Sequence, residues 1–224
     1  MNPEATTRQA YERWASTYAP VAHNPLMRVE QAAMCRYWPG VAGARALDLA
    51  CGSGRYSRLL FERGARTVVA LDYSLTMLRR VAAATPVRAS MMQLPFAPGS
   101  FDTVICGLAL GHASTLQAWM NEVARVLAIG GTVLYSDFHP DAARAGLTRS
   151  FRDEDGRTVT LPHQCFGLSE QRRALAAAQL EVEVVHEVRV GQELREAFPG
   201  SDEFYARWRG LALVLVVRAR RSSR

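Results

Sequence analysis

The pattern of apolar and polar positions divides the chain into strands and helices. Short apolar runs of the kind found in buried strands cover residues 44–50, 66–72, 86–90, 101–107, 131–138, 181–190 and 211–218. Apolar positions spaced three or four apart predict helices over residues 3–18, 26–38, 55–63, 115–128 and 169–179. One more helix is predicted after Ser74, and it is expected to bury Leu75, Leu78, Val81 and Ala82. From residue 44 onwards, strands and helices largely alternate.

This alternation indicates the class of fold. A strand, a helix and a second strand in succession favour parallel pairing through a right-handed crossover. The chain is therefore predicted to adopt an α/β fold with a doubly wound, seven-stranded and mostly parallel sheet. Residues 191–210 are predicted to be a mixed loop, too weakly helical to force a crossover between the last two strands. The last strand is therefore expected to run antiparallel.

The segment 139–168 is too long for a plain connection between a strand and a helix. Asp155 and Gly156 lie between two alternating segments, which is a good signal for a hairpin turn. We expect this insert to form one wall of a substrate pocket and the N-terminal helices to form the opposite wall. The predicted inward-facing residues of the insert are Phe151, His163 and Phe166.

A glycine-containing turn follows the first predicted strand, with the sequence LDLACGSGRY at residues 47–56. Gly52 and Gly54 let the backbone approach a ligand where a Cβ atom would collide. Open α/β sheets bind ligands beyond the carboxyl ends of their strands. Asp72 ends the second strand, where a carboxylate can accept hydrogen bonds from both hydroxyls of a ribose.

Two common ligand classes fit this turn poorly. A phosphate-binding P-loop requires a lysine, and all 27 basic residues of this chain are arginines. A dinucleotide-binding turn favours a third glycine, but Ser57 occupies that position. Asp48 would also place a carboxylate near a phosphate, whereas it suits a cationic ligand.

Composition narrows the possibilities further. The net charge is +6, but the arginines are scattered apart from the C-terminal tail, so no nucleic-acid partner is expected. The four cysteines form no CxxC pair, and we expect them to be reduced. The chain shows no apolar run long enough for a membrane helix and no signal-peptide pattern, so the cytosol is the expected compartment.

Four motifs in order resemble one family. They read LDLACGSG, VVALDYS, LPFAPGSFDTVICGLAL and NEVARVLAIGGTVLYSDFHP, and they lie between about residues 44 and 140. Together with a weaker N-terminal motif, YERWASTY, they are similar to the class I S-adenosylmethionine-dependent methyltransferases. The most similar branch acts on small molecules and includes quinone C-methyltransferases and malonyl-carrier O-methyltransferases. The resemblance implies a Rossmann-like fold with an antiparallel last strand, and S-adenosylmethionine as the cofactor.

The resemblance also implies which residues bind the cofactor. Asp48 would orient its methionine part, Asp72 would hold the ribose and Tyr73 would flank the adenine. The full implied set is Tyr18, Asp48, Ala50, Cys51, Gly52, Gly54, Asp72, Tyr73, Met77, Ser90, Met91, Met92 and Gly107. We expect one domain over residues 1–224, made of cap helices (1–40), a cofactor-binding core (44–138), a substrate-side insert (139–168) and C-terminal helix and strands (169–220).

The sequence departs from the family pattern at two positions. Ala50 stands where the family turn has its first glycine. Ser90 stands where the family usually has an aspartate that contacts the adenine amine, so the contact there would lack charge. Met91 and Met92 are expected to supply apolar packing against the ring.

Candidate catalytic groups are sought among the histidines, because methyl transfer to oxygen or nitrogen can require a base. His112 follows the fourth strand and His139 follows the fifth, so both are expected at the ligand-binding edge, with His163 a third candidate in the insert. Each can equally be a packing residue or a helix cap. Tyr11 and Tyr18 are candidates for a lid over the cofactor, or for burial against a neighbouring helix.

The function predicted from these observations is S-adenosylmethionine-dependent methyl transfer to a small or carrier-bound acceptor, with oxygen as the expected methylated atom. C-methylation of a quinone-like or other activated ring is the first alternative. A nicotinamide-dependent oxidoreductase and a non-catalytic binding module on the same fold are the others. No catalytic metal is expected, because the segment after the fourth strand offers no acidic ligand. The oligomeric state is left open.

Overall fold

The computed structural model describes residues 9–12, 14–15, 17–153, 155–195 and 201–223. The strands are Arg45–Leu49 (β1), Thr67–Asp72 (β2), Thr85–Arg88 (β3), Phe101–Gly107 (β4), Leu127–Phe138 (β5), Ser150–Arg152 (β6), Thr158–Thr160 (β7), Leu180–Arg189 (β8) and Ala212–Arg221 (β9). The helices are Pro25–Arg36 (α1), Arg55–Glu62 (α2), Leu75–Leu78 (α3), Leu116–Val126 (α4), Pro140–Arg144 (α5), Leu168–Ala177 (α6), Gln192–Arg195 (α7) and Ser201–Trp208 (α8).

Seven of these strands form one sheet in the order β3-β2-β1-β4-β5-β9-β8. The pairs among β1 to β5 are parallel, whereas β9 is antiparallel to both β5 and β8. The predicted doubly wound sheet and its antiparallel last strand are therefore confirmed. The order reverses between β1 and β4, and ligands bind at such a switch point in open α/β sheets.

The sheet separates two apolar clusters, because alternate residues of a strand point to opposite faces. In β4, Val104 and Cys106 belong to the cluster that contains α4, whereas Ile105 belongs to the cluster that contains α1 and α2. Trp119 and Met120 of α4 are fully buried in the first cluster, as expected for core residues. Helices therefore cover both faces of the central strands, as parallel sheets require.

The structure corrects two sequence predictions and adds one short helix. The helix after Ser74 was expected to bury Leu75 and to continue past Leu78, but α3 ends at Leu78 and Leu75 is 41% exposed. The segment predicted as a loop, 191–210, contains α7 and α8 in its described part. A short helix, α5, also follows β5, where Pro140 is favourable at the first turn of a helix.

The predicted hairpin in the insert is present as the antiparallel pair β6 and β7. Half of the first predicted helix, 3–18, lies outside the described residues, and residues 9–12 and 14 are helical. In the part of the chain that the structure describes, we find no helix with the length and apolar character needed to cross a membrane.

A buried ion pair attaches α1 to the rest of the fold. Oε2 of Glu30 lies 2.7 Å from Nη1 of Arg55, and both side chains are almost completely buried. Oε1 of Glu30 accepts hydrogen bonds from the hydroxyls of Tyr56 (2.7 Å) and Ser136 (2.6 Å). The carboxylate therefore joins α1 to both α2 and β5.

Replacement of Glu30 by alanine is expected to lower the free energy of unfolding by about 3–5 kcal/mol, because it leaves Arg55 charged and buried without its partner. Urea denaturation measures this free energy. The matched control is Glu62→Ala, which removes a half-exposed glutamate that pairs with Arg58 and should cost at most about 0.5 kcal/mol. Equal effects of the two substitutions would show that the buried pair does not anchor α1.

Candidate active site

The turn between β1 and α2 has an unusual backbone. Ala50, Gly52 and Gly54 all have positive φ, at 55°, 55° and 88°. A Cβ atom on Gly54 would lie 3.3 Å from the side chain of Val81, and one on Gly52 would lie 3.5 Å from the ring of Tyr18. Glycine is the favoured residue in such a conformation, so Ala50 keeps a strained backbone at the position where the family turn has a glycine.

Asp72 at the end of β2 is fixed by this turn. Its Oδ2 accepts a hydrogen bond from the backbone N–H of Gly52 (2.8 Å), and its Oδ1 accepts one from the N–H of Ser74 (2.8 Å). Burial raises the pKa of this carboxyl, and the backbone hydrogen bonds counteract that rise. A carboxylate has about four lone-pair sites, so its two oxygens can still accept hydrogen bonds from a ligand.

Asp48 is more deeply buried than Asp72. Its Oδ2 accepts a hydrogen bond from the hydroxyl of Ser57, at 2.6 Å. Ser57 occupies the position of the third glycine in a dinucleotide-binding turn. Its hydrogen bond to Asp48 links β1 to the first turn of α2. Burial raises the pKa of Asp48 to about 7. A cationic ligand group nearby would favour the ionised form of this carboxyl.

A cavity of about 400 Å³ opens beside the turn. Its walls come from the N-terminal segment, the carboxyl ends of the parallel strands, the insert and the C-terminal part. It is lined by nine of the predicted cofactor-binding residues, namely Tyr18, Ala50, Gly52, Asp72, Tyr73, Ser90, Met91, Met92 and Gly107. The other four, Asp48, Cys51, Gly54 and Met77, lie outside this lining.

Two of the lining residues have distinctive surroundings. The hydroxyl of Ser90 accepts a hydrogen bond from the backbone N–H of Met92, at 3.1 Å. It can still donate one hydrogen bond to a ligand. Gly107 closes β4, and a Cβ atom there would lie 2.3 Å from the ring of Tyr56. Glycine at this position therefore lets α2 pack closely against the end of the strand.

The three candidate histidines occupy different surroundings. Only His112 lines the cavity. His139 caps α5, because its Nδ1 accepts a hydrogen bond from the backbone N–H of Asp141. Nδ1 of His163 lies 3.3 Å from the carbonyl oxygen of Leu161, and the ring packs against Phe138. These positions favour a capping role for His139 and a packing role for His163.

His112 forms part of a buried polar group. Its Nε2 lies 3.0 Å from the hydroxyl of Tyr11, so the N-terminal segment directly contacts the segment that follows β4. Burial lowers the pKa of His112 to about 3, and the positive charge of Arg149 acts in the same direction. The ring is therefore neutral at physiological pH, and its Nε2 can accept a hydrogen bond from Tyr11 or from a ligand.

The insert lines the cavity with different residues from those predicted. Phe151 and Phe166 are buried, but they and His163 lie outside the lining. Phe151 instead stacks on Trp14, with ring centroids 4.6 Å apart. The insert lines the cavity with Leu147, Thr148, Arg149, Ser150 and Leu161. Sequence reasoning missed Arg149, since nothing distinguishes it in the sequence from the other arginines.

Comparison with known proteins shows which family this segment resembles. A family model described as a methyltransferase domain matches residues 47–135, the segment that carries the turn, Asp72 and the carboxyl ends of β1, β2 and β4. The chain has the fold of the class I S-adenosylmethionine-dependent methyltransferases. The matched domain is of the small-molecule type, and the methyl donor of that family is S-adenosylmethionine.

Individual relatives agree with this assignment. A malonyl-[acyl-carrier protein] O-methyltransferase of Enterobacter lignolyticus is 35% identical over 124 residues, which cover 54% of the chain and 49% of the relative. A demethylmenaquinone methyltransferase of Clavibacter sepedonicus is 38% identical over 136 residues, 58% of the chain and 54% of the relative. The chain thus spans about half the length of the curated relatives it matches.

A solved structure extends the similarity to most of the chain. The S-adenosylmethionine-dependent methyltransferase from Mesorhizobium loti is 26% identical and superimposes with a TM-score of 0.70. The match covers 86% of this chain and 98% of that one, so the two proteins share most of the fold.

Asp48 should make the stability of the ligand-free protein depend on pH. The folded carboxyl keeps its proton up to about pH 7, whereas the ordinary pKa is 3.8. Between pH 3.8 and about 7, the folded state therefore binds more protons at Asp48 than the unfolded state does. The free energy of unfolding that this carboxyl contributes falls as pH rises through that range. Relative to wild type, Asp48→Asn should gain about 1–2 kcal/mol in free energy of unfolding between pH 5 and 7.

Urea denaturation at several pH values tests this expectation. The quantity to compare is the difference in free energy of unfolding between variant and wild type. The lowered pKa of His112 makes the stability of both proteins rise with pH, which opposes the effect of Asp48. Asp102→Asn is the control, because hydrogen bonds from Arg45 lower the pKa of Asp102 and keep it ionised throughout this range. A pH-independent difference for Asp48→Asn would contradict the assigned environment.

Proposed function

We propose that this chain transfers the methyl group of S-adenosylmethionine to a small-molecule or carrier-bound acceptor. The observation that carries the proposal is the carboxylate of Asp72, which the backbone N–H groups of Gly52 and Ser74 hold at the wall of the cavity. Two carboxylate oxygens fixed at the end of β2 suit the paired hydroxyls of a ribose. The adjoining turn leaves its backbone uncovered for the methionine part of the cofactor.

Other residues of the same cavity wall are suited to contact the rest of the cofactor. Tyr73, Met91 and Met92 provide an apolar surface for the adenine ring, and the hydroxyl of Ser90 offers one hydrogen bond at its edge. Asp48 and Asp72 supply negative charge near the turn, which suits the ammonium and sulfonium groups of the cofactor. The cofactor brings its own leaving group, so methyl transfer needs the acceptor atom to be held in line with the sulfonium.

Oxygen is the acceptor atom that we propose, with carbon as the alternative. The relatives include both an O-methyltransferase and a demethylmenaquinone methyltransferase. Among the three histidines, the position of His112 in the cavity wall favours it as the group that accepts a proton or a hydrogen bond from the acceptor. Its low pKa makes it a weak base, so an acceptor that is already ionised suits this site best.

The form of the methyl acceptor is proposed from the same relatives. A carrier-bound acyl group and a free ring compound are both compatible with the names of the similar proteins. We propose a cytosolic enzyme without a nucleic-acid partner, on the basis of the scattered arginines and the four free cysteines.

Titration calorimetry with S-adenosylhomocysteine tests the cofactor assignment. Wild-type protein should bind it with a micromolar dissociation constant, and Asp72→Ala should weaken binding about 30-fold or more, because charge-assisted hydrogen bonds to the ribose are lost. The control is Asp155→Ala, which removes an exposed aspartate from the hairpin turn.

NADH serves as the competing ligand in the same experiment. Failure of the wild-type protein to bind S-adenosylhomocysteine, or tighter binding of NADH, would contradict the proposed activity. Binding that occurs normally, without turnover of any acceptor in a broad screen, would instead support a non-catalytic module that has kept the site.

A further inference from the structure

The acceptor side of the cavity contains a buried cation. Arg149 precedes β6 in the insert, and its side chain is only 8% exposed. It lies in the cavity wall with apolar neighbours that include Phe138, Leu147 and Leu161. Guanidinium groups remain charged in proteins and are costly to bury unless they are paired and hydrogen-bonded.

The protein itself satisfies this cation incompletely. Nη1 of Arg149 is buried and has no hydrogen-bond partner within the described part of the chain. The nearest carboxylate oxygen, Oδ1 of Asp137, is 3.9 Å from Nη1, beyond hydrogen-bond distance. The side chain of Tyr11 is a hydrogen-bonding partner of Arg149, but Tyr11 and the neighbouring His112 are both neutral at physiological pH. The guanidinium therefore has a donor available for a ligand.

Asp137 offsets the charge of Arg149 but does not occupy its free hydrogen-bond donor. Burial raises the pKa of Asp137 to about 6. The positive charge of Arg149 and the backbone N–H groups of Phe138 and Gly111 counteract that rise in the pKa of Asp137. Its Oδ1 has no hydrogen-bond partner within the described residues, like Nη1 of Arg149. A structural ion pair at this depth would close to a hydrogen bond, since unpaired burial of both charges is unfavourable. The two groups are instead separated.

We infer that Arg149 binds a carboxylate group of the methyl acceptor. This inference rests on the proposed function, because it treats the cavity as the place where cofactor and acceptor meet. An acceptor carboxylate can receive a charge-assisted hydrogen bond from Nη1, which would satisfy the buried donor. The acceptor is therefore an organic acid with an apolar body that fits the surrounding leucine and phenylalanine side chains.

The neighbouring charge favours a carboxylate over a phosphate. Asp137 lies 3.9 Å from the guanidinium, so a doubly charged phosphate would meet a nearby negative charge with one cation to offset it. A singly charged carboxylate encounters less repulsion. A neutral amide of the same shape could not form a charge-assisted bond, so it should bind more weakly.

Three small probes test the inference in protein saturated with S-adenosylhomocysteine. Benzoate is the monoanion, benzamide is its neutral counterpart and phenyl phosphate is the dianion. Titration calorimetry should give a dissociation constant for benzoate at least about tenfold lower than for the other two. Arg149→Gln should remove this preference, and Arg149→Lys should keep part of it, because an ammonium retains the charge without the planar fork.

Arg157→Gln is the matched control, because it removes an arginine of the same hairpin that is 79% exposed. It should leave benzoate binding unchanged. Binding of S-adenosylhomocysteine to each variant reports folding separately. If wild-type protein binds S-adenosylhomocysteine but binds benzoate and benzamide equally, or neither, the inference is wrong while the proposed function stands. If S-adenosylhomocysteine itself fails to bind, the proposed function is wrong and the inference falls with it.

Discussion

The buried ion pair between Glu30 and Arg55 is the constraint on which the geometry of the site depends. The carboxylate of Glu30 contacts α2 through Arg55 and Tyr56 and contacts β5 through Ser136. The helix α1, which supplies one wall of the cavity, is therefore fixed to the sheet by charge as well as by apolar packing. A charge buried this deeply is stable only while every partner stays in place, so the wall and the cofactor turn are positioned together.

The turn after β1 and the acidic residue at the end of β2 are held together by the sheet. Three residues with positive φ reverse the chain after β1, and the N–H of Gly52 then reaches the carboxylate of Asp72 on the neighbouring strand. Parallel pairing of β1 with β2 places Leu49 opposite Leu71, which brings the two strand ends to one edge. The turn and the acidic residue depend on each other, although they are twenty positions apart in the chain.

The sequence predicts the sheet and the cofactor side well, because both depend on local patterns. Apolar strands, a glycine turn and an acidic residue at a strand end are recognisable without knowledge of tertiary contacts.

The acceptor side depends on how distant segments meet. Arg149 is one of 27 arginines, and its burial results from packing between the insert and the N-terminal segment. Whether His112, His139 or His163 faces the cavity is decided by the same packing. The helix after Ser74 was predicted too long because its apolar spacing continues beyond the point where the chain turns towards β3.

The position of Tyr18 has a kinetic consequence. Its ring approaches Gly52 so closely that a Cβ atom there would lie 3.5 Å away, and it packs edge-on against Trp14. The N-terminal segment therefore stands over the turn at which we propose that the methionine end of the cofactor binds. With a cofactor bound in that position, this aromatic cover would have to move before the cofactor could enter or leave. The time that a spent cofactor stays bound would then depend on an opening motion as well as on the strength of its contacts, so residence time and affinity could be changed independently.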